Sequence, residues 1–486
     1  MNRFERMLRH VRGWRGAGGV PALVVSADLG PDDLRVLRPV IDDCISGRGG
    51  EVAARRRATS VAAAFAHLGP TGQRRFFDLL AHSYGADRPA VDAALLALGT
   101  VTGEAGSDIA NSEPGGERQR LEAELRRALV PRRERLFRRF LGLEGGLPFL
   151  VSLREALLDV RHGDPALGAL DAELRDLLEG WFDVALLRLE RLTWQSPAAL
   201  LERLIEYEAV HAITSWDDLR GRMGPARRCY AFLHPAMPDD PLIFVEIALT
   251  RGVATTLAPL LDHEAARADD EEPDTAVFYS ISNAHRGLAG VSLGDFLIKQ
   301  VVERLRAELP GIRRFVTLSP VPGFRSWLEA AVAEGRAPLG PGERAHLCPD
   351  DPALAEERLL AAVATDHWIS DARREHLRPV LERACAHYLL GAKRDGRAAD
   401  PVAHFHLSNG ASVDRIDWLA DPGRQGLRRS FGMMVNYRYA LEHIEANHDR
   451  YVLQGEIRAS GTVRDLLEPM PAPRARPVEP GRPSPR

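Results

Sequence analysis

Cysteine is scarce in this chain. Only Cys44, Cys229, Cys348 and Cys385 occur in 486 residues, far apart and without C-x-x-C spacing. That argues against a zinc knuckle, a redox motif or a disulfide framework, and for a reducing compartment. Long apolar runs are missing too. No stretch reaches the roughly 20 residues that a membrane-spanning helix needs, and no short apolar segment with a small-residue cleavage site opens the chain. Neither sign of charge is in excess: 64 basic residues against 68 acidic ones leave a net charge of -4. The whole chain therefore advertises no nucleic-acid and no membrane partner. A cytoplasmic protein is expected. The opening "MNRFERMLRHVRGWRG" is Arg-rich, but Glu5 and the lack of serine depart from transit-peptide composition, and the final "SPR" is not a Ser-Lys-Leu address.

What is present is the balance of a folded protein, 45% hydrophobic and 27% charged, in a chain long enough for two domains. Residues 1–190 read as helices broken by glycine and proline, an all-α helical bundle. In "DPALGALDAELRDLLEGWFDVALLRLERL" the residues Leu167, Leu170, Leu174, Leu177, Leu178, Trp181 and Val184 recur at steps of three and four. Asp164 before Pro165 supplies an N-cap and a proline at the first helical position. Residues 103–118, "GEAGSDIANSEPGGER", have no apolar period and read as a loop. From 191 to 464 strand-like runs alternate with helices: "PLIFVEIALT", "TAVFYSIS", "RRFVTLS" and "VAHFHLS", with the helical "LGDFLIKQVVERLRAEL" between the second and third. The class is α+β or α/β. Residues 465–486 end in "PMPAPRARPVEPGRPSPR", an extended tail that cannot build a core.

Three places could carry chemistry. The loop "NAHRGLAGVSLGDFLIK" joins a buried strand to a helix beginning near Leu293. Its glycines 287, 290 and 294 let backbone N–H groups approach an anion, although neither the P-loop G-K-[ST] nor G-x-G-x-x-G is present. Such a turn also serves purely structural ends. His404 and His406 stand at strand spacing and would share a face, as a zinc pair, as a general acid or as ordinary buried histidines. Ser319 ends a strand before Pro320 and is either a turn residue or a reactive hydroxyl; no G-x-S-x-G elbow surrounds it.

Seven patterns then occur in order: "YEAVHAITSWDDLRGR", "RRCYAFLHPAMPDDPLIFVEIALT", "FYSIS", "GVSLGDFLIKQVV", "LSPVPGF", "FHLSNGA" and "NYRY". Together they resemble the malonyl-CoA decarboxylase family over most of residues 190–460. "WFDVALLRLERLTWQSPAALLERLIEYEAVH" is similar to that family's N-terminal part. The resemblance implies an α+β fold in which the helical domain precedes a GNAT-like (acetyltransferase-type) α/β catalytic domain. It implies conversion of malonyl-CoA to acetyl-CoA without biotin, thiamine or metal, and a homo-oligomer, dimer or tetramer, formed through the helical domains.

By the same resemblance the catalytic pair is Ser319 and His406. The acyl-CoA loop is Ala289, Gly290, Val291, Ser292, Leu293, Gly294 and Asp295. Independently of the resemblance, Asn436 and Tyr439 are expected to contact the substrate carboxylate or support the site, with a helix expected around them. His404 falls at a variable position. Ser292 stands where relatives often carry an acid, so any role of that acid does not transfer. An acyl-CoA N-acyltransferase and an idle acyl-CoA sensor are the alternatives, and malonyl-CoA alone, with no second substrate, separates them.

Overall fold

The computed structural model describes residues 23–103, 115–208, 210–262, 272–291, 297–370 and 374–468. Contacts divide the chain into two compact units: residues 1–188 with 233–242 and 283–293, and residues 189–232 with 243–282 and 294–486.

The first unit is chiefly helical, from Pro31–Ser46 through Gly50–Phe65, Pro70–Ser83, Arg88–Gly103, Gly115–Leu129, Arg132–Leu141 and Gly146–Val160 to Pro165–Trp181. Its centre is aromatic: Phe65 packs on Phe76 with ring centroids 4.9 Å apart and on Phe149 at 6.3 Å, all of them buried. Helix Pro165–Trp181 starts where the sequence indicates, because the Asp164 carboxylate accepts from the N–H groups of Ala166 and Leu167 at 2.9 and 3.3 Å. Leu167, Leu170, Leu174 and Leu178 form its buried stripe. The stripe stops sooner than periodicity suggests. The helix ends at Trp181, and Val184 lies in a separate 3-10 turn, Val184–Leu186. The expected loop at 103–118 is shorter at its end, since 115–118 already belong to helix Gly115–Leu129; residues 104–114 lie outside the described residues.

Segment 283–291 packs on helix Gly146–Val160. Gly287 is glycine because a Cβ there would stand 2.1 Å from the Val151 carbonyl oxygen. The buried Arg154 donates to the Gly287 carbonyl at 2.8 Å and pairs with Asp171 at 2.8 Å, so its charge is neutralised where water does not reach. The missing side chain of this glycine thus lets the segment pack closely on the helix.

The second unit is built on an eight-stranded mixed sheet. Its strands are β1 (Arg188–Leu192), β2 (Arg227–Leu233), β3 (Ile243–Thr250), β4 (Thr275–Asn283), β5 (Arg314–Thr317), β6 (Ser319–Pro320), β9 (Ser412–Asp417) and β10 (Met434–Arg438). Strands β7 (Lys393–Arg394) and β8 (Arg397–Ala398) make a separate hairpin. The order is β1-β2-β3-β4-β5-β10-β6, with β9 beside β10. β4 and β5 run parallel, and helix Leu297–Glu308 lies between them in sequence, as a parallel pair requires. Residues 292–296 lie outside the described residues, so the expected helix start near Leu293 does too. β10 then pairs antiparallel with β5 through Arg438 and Val316 and with β6 through Val435 and Ser319. One sheet face is closed by Ala248, Val277, Tyr279, Val316, Leu318 and Met434.

Two assignments are corrected. "VAHFHLS" is not a strand: residues 401–408 form helix Pro401–Ser408. Asp400 accepts from Val402 and Ala403 N–H at 2.9 and 3.0 Å, and Pro401 occupies the first turn, so cap and proline override the β-like apolar run. "NYRY" does not lie on a helix, because residues 434–438 are β10, held between β5 and β9. The extended tail from 469 lies outside the described residues.

Candidate active site

Three elements of the second unit meet at Ser319. β6 carries the serine, helix Pro401–Ser408 carries His406, and β10 runs into Tyr439. Asp400 ties the first two together. Besides capping the helix, its buried carboxylate accepts from the Gly323 N–H and the Tyr388 hydroxyl, each at 3.3 Å. Gly323 cannot be larger, since a Cβ would lie 2.2 Å from the Tyr388 hydroxyl. The prolines and glycine of "SPVPGF" therefore set the chain after Ser319 against the start of the histidine helix.

A chain of hydrogen bonds runs through the centre. The Ser319 hydroxyl donates to Thr317 Oγ1 at 2.9 Å, and Ser319 Oγ lies 2.9 Å from His406 Nε2. On the other side of the ring, the Tyr439 hydroxyl is 2.9 Å from Nδ1. Thr317 Oγ1 also accepts from the Tyr437 N–H at 3.1 Å. A serine has one proton to give. With it committed to Thr317, Ser319 accepts from His406; we assign the ring proton to Nε2 on this ground, which makes Nδ1 the acceptor from Tyr439.

Burial makes this arrangement electrically neutral. His406 is 2% exposed, and desolvation pushes its imidazole down to about 3. The ring of Tyr437 stacks on it with centroids 4.5 Å apart. Burial also raises the phenols of Tyr437 and Tyr439 well above the ordinary value, which keeps both protonated. The centre thus presents a neutral N–H and a hydroxyl side by side in a poorly hydrated setting. Such a pair can hydrogen-bond a carbonyl or give a proton to a strongly basic carbon, but it holds no standing positive charge.

The remaining expected residues have other partners. Asn436 is fully buried and spent on the protein: its amide donates to the Thr317 carbonyl at 2.6 Å and to the Ala254 carbonyl at 3.2 Å, while its oxygen accepts from Arg415 at 3.1 Å. The Tyr439 hydroxyl meets His406. His404 turns away from Ser319 and meets the Tyr451 hydroxyl at 2.8 Å. Of the expected acyl-CoA loop, Ala289 and Gly290 are exposed in the first unit, Gly290 at φ +73°, and Val291 is buried; Ser292, Leu293, Gly294 and Asp295 lie outside the described residues. No cluster of three or more His, Cys, Asp or Glu that could hold a metal occurs among the described residues.

Sequence reasoning missed Thr317 and Tyr437. Thr317 was within reach of it: two residues before Ser319 on an extended run, it shares the serine's face.

Comparison with known proteins gives concordant likenesses. A family model described as the malonyl-CoA decarboxylase C-terminal domain matches residues 185–476, and one for the N-terminal domain of the same family matches 84–182. The chain is similar to the mitochondrial malonyl-CoA decarboxylase of Anser anser anser, 40% identical over 359 residues, 71% of this chain and 71% of that protein. It is similar to its Rattus norvegicus counterpart, 40% identical over 363 residues, 71% of this chain and 73% of that one. Among solved structures, the Rhodopseudomonas palustris malonyl-CoA decarboxylase superposes with a TM-score of 0.77 at 40% identity, covering 91% of this chain and 100% of that one. The Agrobacterium vitis structure gives 0.77 at 37% identity, covering 89% and 100%.

Proposed function

The chain belongs to the malonyl-CoA decarboxylase family, and on that premise we propose that it converts malonyl-CoA to acetyl-CoA and carbon dioxide at Ser319 and His406. The observation that carries the assignment of residues is the buried contact of 2.9 Å between Ser319 Oγ and a neutral His406.

The bond that breaks joins the carboxylate carbon to the α-carbon. Its electron pair passes to the α-carbon and the thioester oxygen as an enolate, and carbon dioxide leaves. Charge localised on a carboxylate becomes charge spread over an enolate, and a dry site lined by Tyr437, Tyr439 and His406 favours the spread form. A neutral ring cannot quench the carboxylate by protonating it, so the group stays ionised and able to leave. His406 Nε2–H then gives its proton to the α-carbon, which is basic enough to take it from a neutral imidazole. The Tyr439 hydroxyl, hydrogen-bonded to Nδ1, disperses the negative charge left on the ring until solvent restores the proton. With substrate bound, the Ser319 hydroxyl turns its proton from Thr317 to the thioester or the departing carboxylate and orients it.

The finer parts of the reading follow the family resemblance. The loop Ala289 to Asp295 takes the CoA part of the substrate, and the protein works as a cytoplasmic homo-oligomer, dimer or tetramer, without a resident metal or organic cofactor. Its second unit is of the acetyltransferase (GNAT-like) type, a reading supported by the parallel β4–β5 pair with β10 set antiparallel beside β5. All four cysteines are buried and free, which fits a reducing compartment.

The test is acetyl-CoA formation from purified protein and malonyl-CoA alone. Wild type should form it, and His406→Ala should lose roughly 10²-fold or more in kcat while CoA affinity stays close to normal. A His406→Ala enzyme with near-wild-type turnover would remove the histidine from the chemistry.

A further inference from the structure

The second unit has a concavity whose lining shares only Tyr439 with the centre around Ser319 and His406. It is a recess of about 520 Å³ whose lining includes Arg306, Arg313, Arg314 and Arg438 over the buried Phe315 and Tyr439. Its size lies within the usual range of small-molecule pockets, about 300–1,000 Å³.

The arginines come from three different places. Arg306 lies in the last turn of helix Leu297–Glu308, Arg313 and Arg314 flank the start of β5, and Arg438 ends β10. The antiparallel pairing of β5 with β10, Arg438 opposite Val316, brings the beginning of one strand beside the end of the other and gathers these side chains at one rim. Arg314 is already paired with Asp274. The guanidinium groups of Arg306, Arg313 and Arg438 are exposed and make no ion pair among the described residues.

A structural role accounts for only part of this. Arg306 complements the C-terminal end of its helix dipole. Nothing comparable applies to Arg313 or Arg438. Against these three unpaired cations the recess offers one carboxylate, Glu442; the shallower hollow beside it adds Glu303 and Lys299, and Lys299 pairs with Glu445. Like charges gathered round a concavity repel one another, and a multiply charged oxyanion relieves that repulsion. Guanidinium forks also match the geometry of phosphate and carboxylate oxygens.

We propose that this recess is a binding site for a multiply charged oxyanion, held by Arg306, Arg313 and Arg438. The anion is either free in solution or the terminal phosphate of a CoA ester. An occupant sits beside Tyr439, whose hydroxyl holds His406.

The test uses inorganic pyrophosphate, titrated calorimetrically into the full-length wild type and into Arg313→Gln/Arg438→Gln. Circular dichroism and thermal melting establish that the variant is folded. Wild type should bind saturably, with affinity falling as salt rises, and the double variant should bind at least tenfold more weakly. Arg306→Gln alone should weaken binding in the same direction. Comparing CoA with dephospho-CoA identifies the source. If the substrate's phosphate is the natural anion, wild type prefers CoA, pyrophosphate competes with it, and the double variant loses the preference. If a free anion is, CoA and dephospho-CoA bind alike in both proteins and pyrophosphate binds alongside them. No saturable binding to wild type, or equal affinity in wild type and the folded double variant, overturns the site. Binding is read without turnover, so the result stands apart from the decarboxylase reading.

Discussion

Replacing Thr317 with valine keeps the side-chain shape and removes one oxygen. That oxygen accepts from both the Ser319 hydroxyl and the Tyr437 N–H, and Thr317 is fully buried, so water cannot take its place. An orphaned buried N–H costs about 1–3 kcal/mol, and the melting temperature should fall accordingly. The catalytic consequence is larger than the loss of one contact suggests. Without Thr317 the serine proton turns to His406 Nε2, the ring proton moves to Nδ1, and Tyr439 becomes its acceptor. The donor facing Ser319 is then gone. A neutral hydrogen bond is worth about 1 kcal/mol net, and a tautomer bias reversed by one to two such bonds leaves about one molecule in ten competent, since about 1.4 kcal/mol is a factor of ten. We expect kcat to fall about tenfold with KM little changed, and Thr317→Ser to restore it, in a continuous assay of acetyl-CoA release at saturating malonyl-CoA. A folded valine variant with wild-type kcat, or one altered only in KM, would refute the proposed direction of the hydrogen-bond chain.

Three further outcomes are expected. Ser319→Ala should lower kcat by roughly 10²-fold if its contact strengthens only in the transition state; a change confined to KM would make it a binding residue. Asp400→Ala removes the cap of the histidine helix and the acceptor for Gly323 and Tyr388, so it should destabilise by about 1–2 kcal/mol and depress kcat as well, with Asp400→Asn recovering the cap but not the acceptor for Gly323, and so only part of the loss in thermal melts and assays. Asp417 is pushed up to about 7 by burial, against the pull of Arg415. Between about pH 3.9, the ordinary value, and about 7 the folded state therefore holds a proton that the unfolded state has lost. The stability this contributes is complete below that range and is lost as pH rises through 7. Urea melts should show Asp417→Asn flattening the decline from pH 5 to 8, and an unchanged slope would contradict the raised value.

Parts of the architecture could be read directly from local chemistry. Asp164-Pro165 and the leucine stripe behind it define a helix from within one turn of sequence, and the apolar runs at 241–250 and 275–282 contain the strands Ile243–Thr250 and Thr275–Asn283. The site was legible only as residue types. That the Tyr439 hydroxyl supports His406, 33 positions earlier, depends on which strands lie side by side, and no spacing in the sequence encodes it. Thr317 is an intermediate case: its face follows from the strand, but its partner follows from β10.

The histidine pair shows how one misread element changes the chemistry. On a strand, His404 and His406 would face the same way, and both could approach Ser319 or share a metal. The apolar run around them is too short to separate strand from buried helix by periodicity. The deciding signal is Asp400-Pro401, the same cap and proline that open helix Pro165–Trp181. On a helix, a step of two residues turns the side chain by about 200°. Only one of the two can then reach the serine, and His404 goes instead to Tyr451. The helix start therefore decides which histidine faces Ser319 and turns the other toward Tyr451.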